Sequence, residues 1–225
     1  MKTMYVFFAA AILLSFAVIT PVFAEESVSD YEAISRLVIW ERQSRVRHLY
    51  DEMADCYFPD ATVTTSWTRG PASAYLSNRN TLPEASDEGV IVGRSSPPIV
   101  HQNGKRAYVE LPTMTIRWVK VNGEEAVLTS YMRLLYSVEC REGVWKITDL
   151  TTVNEDDTLI PAIPGTDLHI NPEDLKGLRH SYRFLSYARI KAGGKVRDDE
   201  LGIDRPEPVE KLYKDLEEWI KGGTK

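Results

Sequence analysis

Few side chains in this 225-residue sequence stand where chemistry could be done, and Glu41 is the foremost of them. It follows Ile34, Leu37 and Val38 at helical spacing. Desolvation on an apolar helical stripe is what fits a carboxylate for proton abstraction. Farther along, Tyr131 and Arg133 share one face of a long strand-like run, while Ser130, Met132, Leu134 and Tyr136 share the other. Asp149 alternates together with Trp145 and Ile147. A Glu41 base with Tyr131, Arg133 or Asp149 as proton donor or charge partner suits proton abstraction or elimination of water. The same side chains suit a structural Glu41–Arg133 or Asp149–Arg133 ion pair, which perturbs titration without catalysis.

The remaining polar candidates are weaker. His101 precedes Asn103-Gly104 and is expected at a solvent-exposed hairpin tip. His48 sits among Arg45, Arg47 and Asp51 as a surface residue, and His169 and His180 fall in the C-terminal tail. No pair of histidines has metal-ligand spacing, so neither a metal nor a cofactor is expected. There is no glycine-rich phosphate loop, no serine nucleophile elbow and no Cys-His arrangement. Trp40, Trp67, Tyr75, Trp118, Tyr131 and Tyr136 could form an apolar cup for a ligand or simply fill core and interface.

Those residues need elements to position them. Residues 30–57 read as helix, with Asp30 as N-cap, a second stripe of Val46, Leu49, Tyr50, Met53 and Tyr57, and a break near Gln43-Ser44. Residues 61–67 are β-branched and strand-like, and Gly70-Pro71 opens a short helix. From Val90 to Val153 the period becomes two. Asn103-Gly104, Asn122-Gly123 and Arg141-Glu142-Gly143 divide it into strands of about 91–102, 105–121, 124–140 and 144–153. Strands that long must twist and bend, which predicts a curved sheet around helices. In the tail, Asn171-Pro172 starts one helix that runs to Gly193-Gly194, and Pro206 starts another carrying Val209, Leu212, Leu216, Trp219 and Ile220.

Composition sets the class. With 43% hydrophobic and 27% charged residues, the chain is an ordinary globular sequence. A net charge of −6 argues against a partner bound by broad phosphate neutralisation, so no nucleic acid is expected. Residues 1–24 read as a signal peptide: Lys2, an apolar run from Met4 to Ile19, then Val22-Phe23-Ala24 before the cut. Cleavage takes the net charge to −7 and predicts a secreted or periplasmic protein with no membrane attachment. Cys56 and Cys140 could pair in that setting or remain buried thiols.

The run ISRLVIWERQSRVRHLYDEMADCYFPDATV, residues 34–63, resembles the opening helices and first strand of SnoaL-like proteins of the nuclear transport factor 2-like superfamily. The order helices, strand, short helix and long meander ending in GVWKITDL is similar too, as are SWTRGPASAYL and the later RHSYRFLSYARIKAGGKV and DRPEPVEKLY. The resemblance implies a cone-shaped α+β fold over residues 25–155, its curved antiparallel sheet wrapped around the N-terminal helices. Residues 156–225 then form a helical extension packing on that core. It also implies an apolar pocket, often in a homodimer that pairs sheet faces.

Dehydratases of the superfamily carry a helix Tyr, an Asp about five residues later and a sheet His. Here those positions fall on Glu41, Val46 and Gly93, the last beside Arg94. The dehydratase set is absent, which leaves three readings: a binder of a small, mostly apolar molecule, a cofactor-independent lyase or isomerase using Glu41, and a structural homodimer with a closed pocket. Trp67, at the expected cone mouth, joins Trp40, Tyr136 and Arg94 as ligand-lining candidates. Tyr182, Phe184 and Tyr187 are placed to lid that mouth or to pack on a partner.

Overall fold

The computed structural model describes residues 29–66, 68–77 and 91–223; the expected signal peptide and Trp67 lie outside the described residues. Helix α1 (Asp30–Val46) starts at the expected residue but is capped by Ser29 rather than Asp30, the Ser29 side chain accepting from the Glu32 N–H at 3.2 Å. Ile34, Val38, Glu41, Arg42 and Ser44 form its buried stripe. The chain reverses at His48, whose φ of 59° lies in the left-handed region, and enters α2 (Tyr50–Asp55). The break therefore comes after Val46, not at Gln43-Ser44, because the apolar spacing carries the helix through the polar pair.

Strand β1 (Tyr57–Thr64), the short β2 (Arg69–Pro71) and helix α3 (Ala72–Ser77) follow. Then comes the meander: β3 (Ile91–Ser95), β4 (Ile99–Asn103), β5 (Arg106–Val121), β6 (Glu124–Arg141) and β7 (Val144–Pro161). Pro97 and Pro98 split the first expected meander strand in two, since proline cannot donate to the ladder. The sheet order is β2-β1-β7-β6-β5-β3, with β4 also on β5 and β1 parallel to β7. Positive φ at Asn122-Gly123 (52° and 92°) and Glu142-Gly143 (53° and 83°) closes the two long hairpins.

Two bulges interrupt β7 against β6. Pairing passes from Ser137↔Asp149 to Val138↔Ile147, leaving Thr148 over, and from Tyr131↔Asp156 to Met132↔Asn154, leaving Glu155 over. Each extra residue bends the strand and flips the alternation beyond it. Strand β7 stays paired with β6 beyond both bulges and runs to Pro161, well past the expected end at 153.

The concave face holds the main core: Ile34 and Val38 of α1 meet Met53, Val63, Tyr75, Val109, Leu111, Tyr136 and Val138. The tail packs on both faces of the sheet. Only single 3-10 turns form at Pro172–Leu175 and His180–Tyr182, with Gly177 (φ 78°) between them. The long helix expected from Asn171 is thereby reduced to α4 (Arg183–Lys191). Leu185, Tyr187 and Ala188 of this region pack with Val119, Val121 and Leu128 at the open end of the concave face. Helix α5 (Pro206–Ile220) lies on the other face, with Val209 and Leu216 against Tyr108, Leu135 and Val153. No helix among the described residues is long and apolar enough to cross a membrane. Cys56 and Cys140 are free thiols, and burial, with Glu41 and Asp55 nearby, pushes the Cys56 thiol up to about 12.

Candidate ligand-binding site

Glu41 faces inward, as its place on the helical stripe predicts, and its side chain is fully buried. Both oxygens are taken. The Tyr57 hydroxyl donates to Oε1 at 2.9 Å and the Tyr136 hydroxyl to Oε2 at 2.7 Å. Burial, reinforced by the neighbouring carboxylate, raises both phenols well above their ordinary value, so they remain donors. The three residues cross-link α1, β1 and β6 through the core. Such a carboxylate ties an ordered core together, each oxygen accepting one hydrogen bond from a buried phenol.

The structure does not bring Tyr131, Arg133 or Asp149 to Glu41. On β6, Ser130, Met132, Leu134 and Tyr136 point to the concave face, so Tyr131 and Arg133 point away. Arg133 reaches Glu155 (2.7 Å), Glu110 (4.0 Å) and the Tyr213 hydroxyl of α5 (2.8 Å). Tyr131 and Arg94 line a shallow outer hollow together with Glu155. Asp149 is displaced by the bulge at Thr148: Ile147 and Leu150 both enter the core, and Asp149 turns outward to accept from Thr62 (2.5 Å) and Thr151 (3.0 Å). Neither expected ion pair forms. Trp40 is exposed on α1 beneath the Arg47 guanidinium, 5.7 Å from its ring. Of the eight candidates, Glu41 and Tyr136 meet in the core and Tyr131 and Arg94 meet at the outer hollow, while Trp67 lies outside the described residues.

The positions assigned by resemblance to the dehydratase Asp and His do meet, but as Val46 and Gly93. A Cβ on Gly93 would sit 2.9 Å from Val46 Cγ1. Val46 thus occupies the space that a side chain at position 93 would need.

What opens on the concave face is a cavity of about 50 Å³ beside this packed region. Ser130, Met132 and Leu134 of β6, Leu150 and Thr152 of β7, and Leu185 of α4 form part of its wall. Its cationic side is made by Arg42 and Arg45 of α1 and Arg117 of β5. Arg42 Nη2 donates to Thr115 Oγ1 at 2.8 Å, and the Arg45 guanidinium lies 4.6 Å from the Tyr75 ring centre. Burial lowers the Arg45 pKa, but Tyr75, Glu41, Tyr57 and Tyr50 together outweigh it and hold it above the ordinary value. Arg117 goes the other way: burial, then repulsion from Arg45 and Arg42, pulls it down to about 9. A signal for this cluster was present in the sequence, since positions 42 and 45 lie one helical turn apart beside Glu41 and Arg117 alternates with Thr113 and Thr115. It was missed because arginine on a helix reads as solvated.

The roof is fixed by Asp157, which the second bulge turns to the concave face. Its carboxylate accepts from the Phe184 N–H at 3.0 Å and the Leu185 N–H at 2.6 Å, at the start of α4. Among the described residues no group of three or more His, Cys, Asp or Glu side chains could hold a metal ion.

No family model matches the chain. A curated PEP2-like protein of Fusarium vanettenii is 24% identical over 186 residues, covering 77% of this chain and 78% of its own. Among solved structures, a type 2 hexachlorocyclohexane dehydrochlorinase, LinA, superposes with a TM-score of 0.50 at 17% identity, over 61% of this chain and 93% of that one. A nuclear transport factor 2-like protein from Pseudomonas putida gives a TM-score of 0.42 at 14% identity, over 53% and 82%. The LinA match spans nearly all of that enzyme yet leaves about two fifths of this chain without a counterpart. The chain therefore has the α+β fold of LinA, a curved sheet wrapped around helices into a cone, enlarged by further helices.

Proposed function

We propose that the protein is an exported small-molecule binder that holds its ligand in the cavity on the concave face of the sheet, without proton transfer by Glu41. The observation that carries this reading is the division of labour on α1. Glu41 is turned into the Tyr57–Tyr136 pair, while Arg42 and Arg45 on the same helix line the open cavity. The cone fold supports it, since pockets of this kind enclose small molecules between a sheet and a helix. An apolar wall of Met132, Leu134, Leu150 and Leu185 faces a polar one, so the expected ligand is amphipathic rather than mostly apolar.

Native mass spectrometry of the mature protein, beside a Thr152→Trp variant that fills the cavity, tests the proposal. The expected result is a small-molecule adduct on the wild-type protein that the folded variant lacks. An adduct of equal intensity on both proteins, or none on either after incubation with a metabolite extract, would contradict it.

A further inference from the structure

Burying a charge without a partner is among the costliest things a fold can do. The cavity's described lining includes three guanidinium groups and no carboxylate. Of the carboxylates nearby, Glu41 already accepts from two tyrosines and Asp157 from two backbone N–H groups. Arg42 is 94% buried by exposure, being 6% accessible, and its Nε, wholly shielded, has no hydrogen-bond partner. None of Arg42, Arg45 and Arg117 forms an ion pair with a described residue, although ion pairs abound elsewhere on the molecule. Among the described residues, three positive charges thus line one pocket, Arg42 buried and Arg45 and Arg117 half-buried, without an ion-paired carboxylate.

We infer that the cavity is an oxyanion site: a small organic anion places its carboxylate or phosphate among Arg42, Arg45 and Arg117, with its carbon body against Met132, Leu134 and Leu185. This rests on the ligand-binding reading above and gives the class of ligand. Guanidinium forks match planar or tetrahedral oxyanions with paired N–H donors, which a single ammonium cannot do. A volume of about 50 Å³ admits one such head group and little more, so the remainder of the ligand must extend toward the opening. Binding would supply the missing counter-charge. The pressure that lowers the Arg117 pKa, partly from its cationic neighbours, would be relieved.

The test is isothermal titration calorimetry of the mature protein with butyrate, methyl phosphate and the neutral isostere butyramide, repeated on Arg117→Gln and Arg117→Lys. The account predicts that at least one anion binds about tenfold or more tighter than butyramide, with affinity falling as salt rises. Arg117→Gln should weaken that anion about tenfold while raising the melting temperature of the empty protein, because a buried repulsion is removed. Arg117→Lys should recover part of the affinity. Tighter binding by methyl phosphate than by butyrate assigns phosphate; the reverse assigns carboxylate. Butyramide binding as tightly as both anions would overturn the anion class and leave the pocket reading intact. Failure of all three probes, with no adduct in the mass spectrum, would overturn both. An Arg117→Gln protein that binds the anion unchanged would overturn the assignment of these arginines.

Discussion

Glu41 shows how one residue can have the type and position for catalysis and still be committed elsewhere. A carboxylate accepting from two buried phenols is stabilised by both, and it stabilises them in turn as donors. Glu41→Gln leaves an amide that can serve only one of the two hydroxyls as acceptor, so one donor loses its partner. The expected cost is about 3 kcal/mol, in the range for disrupting a buried charged hydrogen-bond set. Urea unfolding of the variant measures it, and anion binding in the neighbouring cavity should remain. If Glu41→Gln instead folds with unchanged stability and abolishes turnover of an identified substrate, Glu41 is a base after all. Gly93 makes the same point by absence: with Val46 2.9 Å from where its Cβ would be, no side chain fits there without a shift.

At the scale of elements, the tail completes the site. Helix α4 roofs the concave face through Leu185, and Asp157 anchors its first turn. Burial pushes the Asp157 carboxyl up to about 6, against the Phe184 and Leu185 N–H groups that favour its charge; Asp156 raises it further and Arg183 opposes. Because the folded value lies above the ordinary 3.8, the stability this group contributes is fully present below about pH 4 and is lost as pH rises through about 6. Asp157→Asn removes that dependence. A difference of about two pH units corresponds to about 3 kcal/mol. Denaturation of both proteins between pH 4 and 7 should therefore show the variant gaining on wild type by about that amount as pH rises. A constant difference across that range would mean that Asp157 titrates normally.

Legibility also divides at this scale. Asn122-Gly123 and Glu142-Gly143 announce the hairpins because few residue pairs accept two positive φ angles, and Pro206 announces α5. The bulges at Thr148 and Glu155 carry no such mark. A bulge is decided by how β7 bends against β6 and β1; one unannounced residue, Thr148, moved Asp149 off the pocket face, and a second, Glu155, returned Asp157 to it. The face of β6 that meets α1 was likewise open to sequence reasoning only as an alternation. The strand pattern separates Tyr136 from Arg133 without saying which of them is inside.

For the whole molecule, the most consequential placement is that of α5. Its Val209 and Leu216 cover Tyr108, Leu135 and Val153, on the sheet face opposite the core. The resemblance implies homodimers that pair sheet faces, and this is the sheet face that the N-terminal helices leave uncovered. A homodimer of that kind would first have to displace the helix, so the mature protein is expected to sediment as a monomer at micromolar concentration. A variant ending at Ile203, with that apolar surface uncovered, is expected to self-associate. Sedimentation velocity on both proteins decides the matter, and a concentration-independent dimer of the full mature chain would show pairing elsewhere.

The central claim, a small anion held among three arginines beneath a helical roof, is most directly tested by a crystal structure of the mature protein soaked in 4-bromobenzoate, with bromine located by its anomalous signal. The account predicts a bromine peak at the cavity bounded by Ser130, Thr152 and Leu185, with the carboxylate within hydrogen-bonding distance of Arg42 or Arg117. A cavity without bromine, its arginines instead paired with the protein's own carboxylates, would contradict it.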